Sequence, residues 1–432
     1  MKKKFNYSWV IIALCFLTIC TSLGFCSGGR TMYLTAITDA LNIKRSAFSL
    51  GDTFRYASTT IFNLFFGSLI LKFGEKKLIS AGFVCLISFT LINSVSEHLI
   101  FFYISSILLG IGLSWCGTAM MSYVAGKWTN KKNRGTVTGA ILAANGLGSA
   151  VATQILSPVI FEEGNPFGFR NAYRIVSVIL TVMLILIIVF FRNAPHEDGA
   201  KKAPVRKVRK ARGGGWVGME FSEAKTKPYL YLALICMCFT GMSLQGLVGI
   251  STPHMYDVGL AKPLVANVAT TSSLCLMSSK FLTGFLYDKR GIKLTMNISY
   301  FASFFSILAL VLVKNTPFGI TMAFTRVFFA AIALPLETIM LPLFASELFG
   351  NKCFAKMVGI FSAACTAGFA IGAPLGNLFF DIFGSYNIAF VIFAFLMVFV
   401  TVTMQFVIKL AHRDRDLILQ RLEDEESVTA QV

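Results

Sequence analysis

Apolar residues in this chain do not alternate with polar ones; they run on in blocks of about twenty that recur from end to end. A block of that length, wound as a helix rising about 1.5 Å per residue, crosses about 30 Å of hydrocarbon. Backbone amides find no water in lipid, so each spanning block is expected to be helical. Twelve spans are predicted, at 9–30, 47–71, 78–95, 99–126, 136–160, 171–191, 229–253, 265–287, 294–313, 318–348, 357–379 and 386–410, the third being the shortest. Between them lie short loops, one long polar break at 192–227 and two tails. No soluble domain is expected.

The chain also repeats itself. Gly284-Phe285-Leu286-Tyr287-Asp288-Lys289-Arg290-Gly291-Ile292-Lys293 sits between two apolar runs, and a worn copy, Gly67-Ser68-Leu69-Ile70-Leu71-Lys72-Phe73-Gly74-Glu75-Lys76-Lys77, lies 217 positions earlier. Arg134-Gly135-Thr136-Val137-Thr138-Gly139 opens the fifth span, and Lys356-Met357-Val358-Gly359 opens the eleventh, 220 residues later. Small residues crowd both spans (Gly146 and Gly148; Gly368, Gly372 and Gly376), which suits close helix packing along a seam. The basic turn after a glycine, once in each half, resembles the loops between helices 2 and 3, and 8 and 9, of the major facilitator superfamily of transporters. That resemblance implies an all-α membrane protein with twelve transmembrane helices in two pseudo-symmetric six-helix bundles. The expected division is a bundle at 1–195, a basic cytoplasmic linker at 196–227, a second bundle at 228–410 and a tail at 411–432. A monomer is expected.

Composition agrees with a membrane setting. The chain is 55% hydrophobic and 14% charged, with mean hydropathy +0.70, outside the range of soluble globular proteins. The net charge of +18 raises the question of nucleic acid, but its distribution answers it. With the N-terminus inside, 29 of the 39 Lys and Arg fall in cytoplasmic segments, six in external loops and four within spans. This positive-inside bias predicts a multi-pass protein of the cell inner membrane with both termini cytoplasmic. A folded basic face carrying base-stacking aromatics is missing, so nucleic-acid binding is not expected. The run from Lys201 to Gly215 is basic, then flexible, as expected of a tether at an anionic leaflet; a regulatory site is the alternative. Leu417, Ile418 and Leu422 predict a short helix in the tail. Met1-Lys2-Lys3-Lys4 before an apolar run imitates a secretory signal, but Phe25 is too bulky for the position before cleavage, so the first helix is read as uncleaved. Nine of the ten cysteines lie in spans without paired spacing and read as packing residues. His98 and His254 have no metal-ligand neighbours at suitable spacing, and no phosphate-binding loop, nucleophile elbow or dinucleotide fingerprint occurs. Neither a metal, a cofactor nor enzymatic activity is expected, and a gradient is the expected energy source.

Three stretches narrow the resemblance to the oxalate–formate antiporters and related monocarboxylate porters. They are Glu223-Ala224-Lys225-Thr226-Lys227-Pro228-Tyr229 before helix 7, Lys127-Trp128 before Arg134-Gly135, and Arg45-Ser46-Ala47-Phe48-Ser49 at the entry to helix 2. Departures matter as well. Leu71 stands where the superfamily usually has Asp in the first loop, while Asp288 keeps the corresponding carboxylate in the second half. Asp288, Arg290, Lys72 and Arg134 are therefore the candidate gating residues. Ser106 replaces an arginine common in helix 4, and its repeat partner is Arg326. Cys365 stands where the oxalate antiporter has a second buried lysine.

Ionisable side chains in hydrocarbon cost several kcal/mol, so each one within a span is a functional candidate. Lys280 lies one turn before Gly284, about 12 Å from the inner end of its helix. The resemblance puts an arginine that binds the substrate carboxylate at this position; a lysine offers a point charge without the bidentate fork. The alternative is an ion pair with Glu337, about 15 Å from the inner end of helix 10. Asn63 is the repeat partner of Lys280, and Asn145 that of Cys365. Arg30, Arg55 and Arg326 fall in the outer third of their helices, Arg55 about 25 Å above Lys72. They would surround an outer vestibule and focus anions by their field. The alternatives are snorkelling to headgroups or, for Arg55, pairing with Asp52.

The sequence thus points to a secondary transporter of small organic anions, monocarboxylates above all, working by alternating access. Lys280, Arg30, Arg55, Asn63, Asn145 and Arg326 are its candidate substrate contacts, and Glu337 is the candidate proton carrier. Drug efflux on the same fold and a non-transporting membrane sensor are the alternatives.

Overall fold

The computed structural model describes residues 7–129, 134–192, 218–337, 340–350 and 352–429. Twelve helical segments span it. In the first half they are α1 (Ser8–Leu41), α2 (Arg45–Leu64, continued as Phe66–Phe73), α3 (Glu75–Val95), α4 (Leu99–Cys116, then Thr118–Trp128), α5 (Arg134–Ile160) and α6 (Gly168–Phe190). In the second half they are α7 (Pro228–Asp257), α8 (262–290), α9 (292–311), α10 (Pro317–Ala333, continued through Met340–Phe349), α11 (Phe354–Phe383) and α12 (Asn387–Thr429). The buried apolar residues form two separate cores, one spanning Ile11 to Phe191 and the other Met219 to Ala411.

Among the described residues, ten helices are long and apolar enough to cross a membrane by length and composition alone. The other two segments, α2 and α8, are the polar ones. Helix α2 carries Arg45, Asp52 and Arg55, and α8 carries Thr270, Thr271, Ser272, Ser273, Ser278, Ser279 and Lys280. Both belong to the seam between the cores, where Asp52, Arg55, Ser272 and Ser273 line an internal space. The repeat is written into the backbone as well. Gly291 turns the chain between α8 and α9 at φ 74° and ψ 179°, and Gly74, 217 residues earlier, turns it between α2 and α3 at φ 76° and ψ 165°. Only glycine adopts that region without strain, which is why the basic loop motif carries one in each half.

We call the side of the molecule that carries the residue 192–228 connection the linker side, and the opposite end the far side. At the far end the halves are joined by charge. Arg45 donates to Asp257 through both guanidinium arms, at 2.5 and 2.8 Å, and to the Tyr386 hydroxyl at 3.1 Å. Its guanidinium also lies 4.1 Å from the centre of the Phe380 ring. Asp381 of α11 accepts the backbone N–H groups of Arg45 and Ser46 at 3.2 and 2.8 Å, so a carboxylate from one half caps a helix of the other. Tyr386 donates to Asn377, which donates to Ser49 at 2.7 Å and returns the chain of contacts to α2. Towards the linker side apolar and small residues lie exposed. Ile61, Phe65 and Leu71 of α2 are 53%, 57% and 85% exposed, and Gly359 of α11 faces open space.

The tail departs from expectation. In place of a separate short helix, α12 continues without a break to Thr429. Its extension is held against the bundle by Glu347, which takes His412 and Arg415 at 3.0 and 3.3 Å, and by the 2.7 Å pair Lys227–Asp414. The basic run at 201–215 lies outside the described residues.

Candidate functional site

The far-side lock roofs a cavity of about 290 Å³ at the seam. Its walls come from α1, α2 and α5 of one half and α7, α8, α10 and α11 of the other. Helix α1 reaches it through an unusual stretch: Cys20–Gly28 is wound as a π-helix, a form that tends to occur at functional sites, and it delivers Ser27 and then Arg30 to the wall. From α2 come Asp52, Arg55 and Tyr56, spaced by three and four residues so that they share one face.

Asp52 is the centre of the charged cluster. Its Oδ1 lies 3.0 Å from Arg30 Nη1 and 3.4 Å from Arg55 Nε. Neither nitrogen is aligned for a hydrogen bond to it, so the attraction is Coulombic, which depends on distance more than on angle. Arg30 donates through Nη2 to Ser106 at 3.2 Å, and Arg55 through Nη1 to Ser27 at 2.9 Å. The Arg55 guanidinium also lies over the Tyr56 ring, 4.2 Å from its centre. Ser106 is the position from which an arginine is missing in helix 4; a guanidinium from α1 stands beside it instead. Gly51 makes the room. A Cβ there would come within 2.8 Å of Ser106 Oγ and 3.0 Å of Arg30 Nη2.

Across the cavity Arg326 of α10 is 5% exposed. It forms no ion pair among the described residues, and its Nε has no hydrogen-bond partner. The described charges lining the cavity are three guanidinium groups and one carboxylate, a surplus of two positive charges. A buried cation without a partner is costly, and it is tolerated where a mobile anion completes it.

Four of the sequence-derived candidates therefore meet: Arg30, Arg55, Asn145 and Arg326 line one space. The three arginines surround a roofed central cavity in this state instead of an open vestibule. Arg55 both pairs with Asp52 and lines the cavity. Asn63 is not among the lining residues; it is exposed and accepts a 2.6 Å hydrogen bond from Ser114. Lys280 lies one turn beyond Leu276, a lining residue of α8, but the side chains of Lys280, Glu337, Asp288 and Arg134 lie outside the described residues. Lys72 and Arg290 are exposed on the linker side, Lys72 with its ammonium 5.4 Å from the Phe73 ring. Sequence reasoning missed Asp52 as a bridge, reading it only as a partner for Arg55. The signal was the polar face of α2, and the contribution of Arg30 from another helix hid its meaning. It also missed the 2.5 Å pair of Lys127 with buried Glu75, which ties α4 to the start of α3 on the linker side.

The sequence profile of the Major Facilitator Superfamily matches residues 12–316 and again residues 233–427. The chain belongs to the Major Facilitator Superfamily. It is a membrane transporter and not an enzyme, with twelve helices in two six-helix bundles. The uncharacterized MFS-type transporter YcxA of Bacillus subtilis (strain 168) is 24% identical over 368 residues, which cover 82% of this chain and 84% of the relative. Monocarboxylate transporter 12 of Mus musculus is 20% identical over 445 residues, 93% of this chain and 85% of the relative. The crystal structure of the nucleoside transporter NupG (D323A mutant) superposes with a TM-score of 0.74 at 13% identity, covering 93% of this chain and all of that one. Membership in the superfamily thus settles fold and transport, and leaves the substrate to the cavity.

Proposed function

We propose that this superfamily member is a secondary transporter of small organic anions, with carboxylates as its substrates. Arg326 carries this reading: a buried guanidinium without a partner among the described residues, on the wall of a cavity whose other charged cluster is already net positive. A neutral or cationic substrate would leave that charge unrelieved, whereas a carboxylate offers Arg326 a charge-assisted, bidentate partner. Lys280, one turn further along α8, would meet the same anion as it moves towards the linker side. The likeness to a monocarboxylate transporter supports the carboxylate, though at 20% identity it does not specify which one.

The charge bias of the loops puts the linker and both termini in the cytoplasm. On that reading the Arg45 lock closes the outer side. Glu337 remains the proposed proton carrier, with anion exchange as the alternative mode. The deciding experiment is uptake of radiolabelled carboxylates into proteoliposomes, with and without a pH gradient. Saturable uptake of carboxylates and no uptake of neutral or cationic compounds is expected. Uptake of a neutral or cationic compound in preference to every carboxylate would refute the anion reading.

A further inference from the structure

The uncharged polar groups of the cavity divide into two kinds. Several are occupied by the protein itself: Thr153 donates to the Ser149 carbonyl, Ser273 to that of Ala269, Ser251 to that of Val248, and Thr31 to the Thr252 hydroxyl. Three are not. The Asn145 amide and the Ser149 and Ser272 hydroxyls line the cavity and make no hydrogen bond among the described residues. Asn145 and Ser149 lie one turn apart on α5, and Ser272 is on α8, the helix that packs against α5 across the seam. Free hydrogen-bonding capacity is therefore gathered on the α5–α8 wall, while the guanidinium groups come from α1, α2 and α10.

Resting on the anion reading above, we infer that the substrate is a polyhydroxylated organic acid, of the sugar-acid class, and not a short hydrocarbon acid. Its carboxylate is held on the arginine side and its hydroxyls by Asn145, Ser149 and Ser272. Size agrees. A cavity of about 290 Å³ lies at the lower end of small-ligand pockets. A two- or three-carbon acid held by the guanidinium groups would leave the Asn145 amide and the Ser149 and Ser272 hydroxyls unpaired. An alkyl acid long enough to reach them would bury an amide against methylenes, which is unfavourable. A hexose-sized acid satisfies both sets of groups, since each hydroxyl can donate and accept.

Thermal unfolding of the purified full-length protein in detergent, titrated with D-glucuronate, pyruvate and D-glucose, tests this. Glucuronate is expected to stabilise the protein at concentrations at least about tenfold lower than pyruvate, because several hydrogen bonds, each worth roughly three- to tenfold, are added. Asn145→Ala should reduce the ratio of the two apparent affinities by roughly three- to tenfold. Should that variant fail to fold, Ser272→Ala reads the same ratio. Pyruvate binding as tightly as glucuronate, or a ratio unmoved by either substitution, overturns the sugar-acid inference and leaves the anion reading standing. Stabilisation by glucose with none by either acid overturns both.

Discussion

Removing Arg45 should open the far side. Its side chain is 10% exposed and its partner Asp257 26%, and both of its arms are engaged. A hydrogen bond to a charged group contributes about 1.5–3 kcal/mol, and a guanidinium over an aromatic ring about 0.5–1 kcal/mol. In the far-open state the same groups are solvated, so only the net difference favours closure. Because Asp257 keeps some access to water, Arg45→Ala should cost less than breaking a fully buried pair, about 2–3 kcal/mol. That is a shift of roughly 30- to 150-fold in the ratio of far-closed to far-open protein. Asp381→Ala removes a helix cap instead, at about 1 kcal/mol, and should shift the ratio only about fivefold.

The measurement is the distance between spin labels at Glu163 and Lys314, exposed far-side positions in opposite halves, in a background lacking the native cysteines. In nanodiscs the unsubstituted protein should give a short far-side distance, Arg45→Ala a predominantly long one, and Asp381→Ala a mixture. Arg45 and Asp257 touch, so the double variant Arg45→Ala/Asp257→Ala should shift the ratio by less than the two single effects combined. An unchanged distance distribution in Arg45→Ala, with the variant monodisperse and folded, would show that the lock has no part in holding the far side shut. Additive single effects would show that the pair does not act as a unit.

Arg326→Gln should separate stability from binding. It relieves a buried unpartnered cation, so the melting temperature of the empty protein should hold or rise, while affinity for carboxylates falls about 10- to 150-fold; a loss of stability with affinity intact would argue that Arg326 serves only the fold. Gly51→Ala should push Arg30 away from Ser106, costing about 1–3 kcal/mol of overpacking and weakening anion binding, as titration calorimetry with the transported acid would show. Lys280→Gln should abolish carboxylate uptake into proteoliposomes while membrane insertion stays intact, and normal uptake would remove Lys280 from the substrate path.

What could be read in the sequence, and what could not, follows from the range of each interaction. The spans were legible because hydrophobic run length is a local property. The repeat was legible because Gly74 and Gly291 need the same left-handed backbone, and a backbone requirement leaves a glycine at a fixed offset. Arg30, Arg55 and Arg326 stood out because a charge inside an apolar run is unfavourable wherever its partner lies. The lock was not legible. Arg45 and Asp257 are 212 positions apart; Arg45 stood out only as part of a motif at the entry to helix 2, and Asp257 did not stand out at all. Their pairing is a property of one arrangement of the two halves, whereas a single sequence must encode every arrangement the halves adopt. The same reasoning explains why Asp52 was undervalued. Its partner Arg55 is three residues away and visible; Arg30 arrives from another helix across a π-helical stretch whose register shift disturbs the usual counting of faces. The residues that fold this transporter are therefore nearly all identifiable from local pattern. Those that hold it in one state are identifiable only once the halves are docked, and a substitution that leaves folding untouched yet changes transport should be sought first among contacts that cross the seam.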